Sequence, residues 1–220
     1  MGTGMERLRA IADAVAKAEP ELGEPQQRVA LAVYKRLAEG SPAPVADVAE
    51  RAHMDEGEVE ELLGSWPGVF RNEGGDVLGF WGLTVQRLVP THRIAAHGRE
   101  LFAWCAWDTL FLPALLGTTM QVESTCPTSG QTISLEVSPE EVLRTSHPTA
   151  QVSFLVPERV LGADVIQSFC HFVHFFSSRD AGEAWTAEHE GTFLLSLEEA
   201  FELGRMVNAR NFPSVMEGAA

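Results

Sequence analysis

Residues 120–137 read MQVESTCPTSGQTISLEV. Apolar and polar side chains alternate from Met120 to Glu123 and again from Gln131 to Val137, with Pro127-Thr128-Ser129-Gly130 between the two runs. A period of two marks a strand with one buried face, and Pro, Ser and Gly are turn formers, so the stretch predicts two antiparallel strands joined by a turn. Gln151 to Val156 alternates in the same way. On the N-terminal side, Leu101 to Leu116 is a dense apolar stretch that reads as a helix interrupted by Pro113. On the C-terminal side, Val165 to Ser177 predicts a helical start as far as Ser168 and then a Phe-rich strand. Asp180 with Glu183, and Ser196 with Glu199, have capping-box spacing and predict two closing helices, the second ending near Asn208. Helices and strands that do not alternate as βαβ units predict an α+β fold of mostly antiparallel strands flanked by helices.

The front of the chain has another character. Leu8, Ile11, Val15 and Ala18 recur at helical spacing within Met5 to Glu19, and Pro20, Gly23 and Pro25 end that helix. Gln26 to Glu39, Pro44 to Ala52, and Asp55 to Leu63 predict three more helices, the last capped by Asp55. Val69 to Arg71 and Val77 to Val85, joined through Asn72-Glu73-Gly74-Gly75-Asp76, predict a β-hairpin. Three helices and a hairpin are the order of a winged helix. The expected organisation is therefore an N-terminal helix and linker over residues 1–24, a winged-helix-like domain over 25–88 and an α+β domain over 89–220.

Charge limits what this front part does. Asp55 to Gly64, the position of a recognition helix, holds Asp55, Glu56, Glu58, Glu60 and Glu61 and no Lys or Arg, the wrong sign for phosphates. The whole chain agrees, with 16 basic and 31 acidic residues in 220 and a formal charge of −15. Nucleic acid and anionic membrane surfaces are poor partners for it. No apolar run approaches about 18 residues and Met1 to Ala10 has no signal-peptide core, so a cytoplasmic protein is expected. The odd set Cys105, Cys126 and Cys170 predicts thiols rather than a disulfide framework.

Two segments could carry chemistry: Trp104-Cys105-Ala106-Trp107-Asp108 and Ser168-Phe169-Cys170-His171-Phe172-Val173-His174. Three residues apart on a helix, Cys105 and Asp108 would share a face, and the apolar surroundings should raise the Asp108 pKa and make it a proton donor. An unpaired buried carboxylate is costly, so Asp108 needs a partner or a proton. Cys126, beside a proline in a turn, reads as structural. His171 and His174 would alternate on a strand with Cys170, and Trp104, Trp107, Phe169 and Phe172 would form core or the wall of an apolar pocket. Three chemistries fit: a cysteine nucleophile with His171 or His174 as base, zinc held by Cys105, Cys170 and His174, or capture of a soft metal by two thiolates with a carboxyl as proton source. The residues alone leave these open.

Leu101 to Gly117 resembles the first active-site segment of the organomercurial (alkylmercury) lyases, and Gln167 to Phe176 resembles the second. The resemblance extends over nearly the whole chain, including the front, the turn with Cys126 and the closing helix around Glu199 to Asn208. It departs at His171, where some members have another cysteine, and at Trp107, where a smaller apolar residue is familiar. The resemblance implies protonolysis of R–Hg–X to RH and Hg(II), with Cys105 and Cys170 holding mercury and Asp108, which also contacts the metal, supplying the proton. It also implies no cofactor, release of Hg(II) to low-molecular-weight thiols or to a mercuric reductase, and a monomer. The alternative from another class is a thiol-based metal or organometal sensor that uses the winged-helix domain as a transcriptional regulator, for which the acidic helix is the wrong chemistry.

Overall fold

In the computed structural model, which describes residues 2–89 and 91–216, the strands β6 (Met120–Thr125) and β7 (Thr132–Val137) pair antiparallel. Met120 faces Val137, Val122 faces Leu135 and Ser124 faces Ile133, so one face of the hairpin is buried throughout. Met1, Pro90 and residues 217–220 lie outside the described residues, and with them the outer ends of the expected segments 1–24 and 89–220.

This hairpin lies one strand in from the β8 edge of an eight-stranded sheet. On one side, β8 (Val142–Thr145) pairs with β7. On the other, β4 (His92–Ala96) pairs with β6, and β5 (Arg99–Ala103) folds back on β4 through His97 and Gly98, both at positive φ. Beyond β5 come β3 (Leu83–Thr84), β2 (Val77–Phe80) and β1 (Val69–Arg71), so the order is β1-β2-β3-β5-β4-β6-β7-β8, with every neighbour antiparallel. The sheet thus runs without a break from the strands of the front segment into those that follow residue 88. A second sheet has β9 (Gln151–Phe154) between β10 (Phe175–Phe176) and β11 (Phe193–Ser196). The fold is α+β with a large antiparallel sheet and flanking helices.

Helices α1 (Gly2–Ala18), α2 (Glu24–Leu37), α3 (Val45–Ala52) and α4 (Glu56–Ser65) form where periodicity and caps predict them. Asp55 caps α4 by accepting from the N–H groups of Gly57 and Glu58, and the left-handed His53 ends α3. Val29, Val33 and Leu37 of α2, Val48 of α3, and Val59 and Leu63 of α4 pack with Phe80 and Leu83 in one buried cluster. Leu8, Ile11 and Val15 of α1 belong to another, with Phe201, Leu203 and Val207 of α8 (Leu197–Asn211). The first helix therefore packs with the end of the chain, and the Arg210 guanidinium meets the Asp13 carboxylate at 2.8 Å across that contact. Among the described residues no helix is long and apolar enough to cross a membrane.

Four local expectations are corrected. Leu101 to Leu116 is not one helix: Leu101, Phe102 and Ala103 lie in β5, and α5 (Asp108–Leu116) starts only at Asp108. Strand β5 is hydrogen-bonded on both edges and its last three residues are buried, which removes the alternation that identifies a strand. Val77 to Val85 is two strands broken by a tight turn at Trp81-Gly82. After α6 (Val165–Ser168), Cys170–Phe172 forms a 3₁₀ turn, and extended pairing is confined to Phe175–Phe176. Helix α7 (Arg179–Thr186) is capped by Ser178, which accepts from the Ala181 N–H, and not by Asp180, which lies inside the helix. Ser196 and Glu199 do form the predicted capping box on α8, which runs on to Asn211.

Candidate active site

Cys105 and Asp108 meet at the junction of β5 and α5. After Ala103 the chain leaves the sheet, and the Trp104 N–H donates to the Gly82 carbonyl at 3.0 Å while the Ala106 N–H donates to the Val173 carbonyl at 3.1 Å. The second bond ties this junction to the segment that carries Cys170. Asp108 is the first residue of α5, and its carboxylate turns back to accept the Cys105 N–H at 2.7 Å. The carboxyl therefore sits beside the thiol, as expected, but through a strand-to-helix turn and not through one face of a helix.

Cys170 is presented by its 3₁₀ turn, which Ser153 of β9 holds from below. The Ser153 hydroxyl donates to the Phe172 carbonyl at 2.8 Å and accepts the His174 N–H at 2.9 Å. The result is a cluster of three ligand atoms, one each from Cys105, Asp108 and Cys170, all within 4.8 Å of one another and all from buried residues.

Burial dominates the electrostatics. Desolvation raises Asp108 from its ordinary 3.8 to about 7, against the downward pull of hydrogen bonds from Cys105 and the Trp104 backbone. Desolvation also pushes the Cys105 thiol well up, helped by Cys170 and the Asp108 charge. For Cys170 the contact with the Cys105 sulfur pulls the pKa down, but burial and the Asp108 charge together leave it raised. At neutrality burial holds the two cysteines as thiols and brings the Asp108 pKa up into the neutral range.

A cavity of about 60 Å³ opens over Asp108 and Cys170, while Cys105 is fully buried and does not line it. Trp104, Trp107 and Phe169 line it as expected, joined by Trp81, Phe111 and Leu161. Phe172 does not line it and stacks edge-on with His171 and His189 instead. His171 is exposed. His174 is buried and donates from Nε2 to the His171 carbonyl at 2.8 Å, and burial lowers its pKa to about 4. Neither histidine lines the cavity, and Asp108 takes the third place in the cluster that a zinc site would have given to His174. Cys126 stands apart, its sulfur accepting from the Ser129 N–H at 3.4 Å and the Ser177 hydroxyl at 3.8 Å.

Several residues of the site carried no sequence signal. Glu19, at the end of the first helix, and Asn211, at the end of α8, meet in the cavity wall through a hydrogen bond from Asn211 Nδ2 to Glu19 Oε2. Tyr34, the one tyrosine of the chain, donates to the Trp81 carbonyl at 2.8 Å. The Trp81-Gly82 turn is held by four bonds, since Trp81 also donates from Nε1 to Pro67 at 2.5 Å and from its N–H to Gly68 at 3.3 Å, and Gly82 accepts from Trp104. Gly82 has φ +94°, and a Cβ there would lie 2.6 Å from Asp108 Oδ1. Only glycine lets this backbone approach the carboxyl so closely. The one available clue was the Trp-Gly pair inside an apparent strand.

Comparison with known proteins gives one family. The family described as alkylmercury lyase (MerB) matches residues 89–208. An alkylmercury lyase of Staphylococcus epidermidis is 44% identical over 179 residues, covering 81% of this chain and 80% of the relative. One of Bacillus cereus is 39% identical over 191 residues, covering 86% and 85%. Among solved structures, the crystal structure of the mercury-bound form of MerB2 is similar with a TM-score of 0.73 at 20% identity, covering 91% of this chain and 96% of that one, a likeness of fold.

Proposed function

Since the chain belongs to the alkylmercury lyase family and is therefore an enzyme that breaks carbon–mercury bonds, we propose that Cys105, Cys170 and Asp108 perform the cleavage. The observation that carries this reading is the approach of two buried thiols and a buried carboxyl to within 4.8 Å.

Mercury is a very soft metal and prefers thiolate sulfur to oxygen. A substrate R–Hg–SR′ exchanges its thiolate for Cys105 and Cys170, and one cysteine proton leaves with R′SH. The other passes to Asp108. With two sulfurs on the metal the carbon–mercury bond weakens, but a free carbanion is too basic to depart. Asp108 delivers its proton to carbon as the bond breaks, and the electron pair stays with carbon as R–H forms. The sum is R–Hg–SR′ + 2 Cys–SH → RH + R′SH + Hg(S–Cys)₂, with mercury remaining Hg(II). A near-neutral Asp108 suits both halves, because it accepts a thiol proton and then gives it up. Aromatic walls suit alkyl or aryl groups.

No cofactor enters this scheme. Hg(II) held by two thiolates leaves by exchange with low-molecular-weight thiols or with the cysteine pair of a mercuric reductase. All three groups come from one chain, which suits a monomer, and three buried free cysteines suit a reducing, cytoplasmic setting. Residues 25–88 act as a winged-helix-like packing unit ahead of the catalytic segment 89–220, after the helix and linker of 1–24. Its α4 is acidic and its Trp81-Gly82 turn abuts Asp108, which favours support of the site over DNA binding.

The test is incubation of the reduced protein with methylmercury and excess thiol, with headspace methane measured by gas chromatography. Methane from wild type and none above background from Asp108→Ala supports the assignment. Equal methane from both removes Asp108 from it.

A further inference from the structure

Glu19 has no step in the proposed reaction, yet it lines the same cavity as Asp108 and Cys170. Among the described residues the ionisable groups of that wall are Glu19, Tyr34, Asp108 and Cys170, and no Lys, Arg or His lines it. Each of the four becomes negative on losing its proton, and none ever becomes positive. Among the described residues no cation pairs with Glu19, and Lys17 at the end of α1 is exposed. Helix α8 offers the neutral Asn211, and its Arg210 is engaged by Asp13; α2 offers Tyr34 and α5 offers Asp108. The loop over the cavity contributes Leu161, whose N–H donates to the Ala18 carbonyl at 2.8 Å, and its Arg159 pairs with Asp164. Only Glu19 Oε2 takes a side-chain hydrogen bond, from Asn211, and among the described residues Oε1 takes none. Burial sets Glu19 at about 7, with Asn211 pulling down and the Asp108 charge pushing up, so it is mostly ionised at about pH 8.

An anion brought into a cavity of indole and phenyl walls loses water and meets a carboxylate without a compensating cation. Coulomb repulsion is poorly screened in such a place, and an unpaired charge is an effective means of rejecting a wrong substrate. A neutral organic group feels none of this, and a cationic one gains an ion pair.

We propose that Glu19 is a specificity-determining residue that sets the charge selectivity of the lyase, rejecting organomercurials whose organic group carries a carboxylate and favouring those with a cationic group. This rests on the assignment of the cavity to the organic group of the substrate.

The experiment measures kcat/KM for phenylmercury, 4-carboxyphenylmercury and 4-(aminomethyl)phenylmercury at about pH 8 with excess 2-mercaptoethanol, a neutral thiol. Glu19→Gln keeps the shape of the side chain and an acceptor for Asn211 while removing the charge. The carboxylate-to-phenyl ratio should rise about tenfold in Glu19→Gln, equivalent to about 1.4 kcal/mol, and the ammonium-to-phenyl ratio should fall comparably. Glu19→Asp, which keeps the charge, should stay near the wild-type ratios. Thermal melts establish that both variants are folded. Ratios that stay within about twofold in Glu19→Gln, or that move equally in Glu19→Asp, overturn the proposal. Cys105→Ser and Asp108→Ala run on phenylmercury separate the two failures. Wild-type rates from them remove the site assignment and this inference together, whereas dead variants with unmoved Glu19 ratios remove only the inference.

Discussion

Cys126 lies in the turn after β6 with donors from Ser129 and Ser177 on its sulfur, whereas Cys105 and Cys170 face each other beside a carboxyl. All three thiols are buried and belong to one core cluster. For Cys126, burial pushes the pKa up, but hydrogen bonds from Ser129, Ser177 and Thr128 outweigh it and hold the thiol below its ordinary value. At the other site burial wins and both thiols are raised. Under the roles proposed above, what separates Cys126 from the metal-binding pair is therefore neither exposure nor thiolate content. It is the neighbour: Cys126 has hydrogen-bond donors that fix its sulfur, and the pair has a second sulfur and the carboxyl proposed as proton donor.

The largest effect that would break this contrast is on turnover. Cys105→Ser and Cys170→Ser should each lower kcat/KM for phenylmercury by about 10⁴-fold or more, because a hydroxyl is a poor ligand for a soft metal and the two sulfurs act as a unit. Next, Asp108→Ala should lower cleavage by about 10²- to 10⁴-fold, the range for loss of a proton donor, while still binding one Hg(II) per chain in a thiol-competition titration. Loss of both activity and metal binding would make Asp108 a ligand or a scaffold and not a donor.

The same contrast has a signature in stability. Asp108 is 3.8 when unfolded and about 7 when folded, so the folded chain binds more protons between those values. Its contribution is fully present below about pH 4 and is lost as pH rises through about 7. Burial of His92 and His174 acts with the opposite sign. Their folded values of about 3 and about 4 lie below the ordinary 6.5, so their contribution grows as pH rises through that window. Urea unfolding of wild type and Asp108→Asn at pH 4 to 8 isolates the carboxyl. The variant should gain on wild type with rising pH by a few kcal/mol at most and then level off, a tenfold change in proton affinity being worth about 1.4 kcal/mol. A difference independent of pH would mean that Asp108 is not the buried, proton-holding group described above.

Much of this arrangement was legible in the sequence, and the failures have a common origin. The alternation of Met120–Val137, the Asp55 cap and the Ser196–Glu199 box are local signals, and the structure obeys them. The acid beside Cys105 followed from residue types at short spacing, although the reason offered, one face of a helix, was wrong. Strand β5 was lost because a strand paired on both edges and buried at its end shows no period. Glu19 and Asn211 are 192 positions apart, and nothing near either one marks it as part of a cavity. Trp81-Gly82 looked like strand because its turn is fixed by bonds to Tyr34, Pro67, Gly68 and Trp104, all distant in sequence or silent in pattern. Trp81 at φ 30° is held in a conformation that only such surroundings sustain.

That turn gives a smaller test of how tightly the reactive pair is built. Gly82→Ala places a Cβ 2.6 Å from Asp108 Oδ1 and keeps a φ of +94° that alanine disfavours. It should destabilise the fold by about 1–3 kcal/mol and reduce cleavage by about ten- to a hundredfold through displacement of the carboxyl, read from urea midpoints and kcat/KM on one preparation. Unchanged activity would show that Asp108 has more room than the geometry allows.

The smallest effect is expected at Cys126. Serine in its place can still accept from Ser129 and Ser177, but it is smaller and more polar in a position with no exposure. The cost should be about 1 kcal/mol in unfolding free energy, with kcat/KM for phenylmercury within about twofold of wild type. The donors on its sulfur lower the thiol pKa, and burial keeps reagents away, so in native protein it should also react with a thiol reagent far more slowly than after unfolding. Both readouts matter, because stability alone would not tell a structural cysteine from one that relays mercury. A drop in turnover with an unchanged urea midpoint would place Cys126 on the path of the metal, and the division between fixed and reactive thiols would then have to be drawn by access to the substrate instead of by the neighbours of each sulfur.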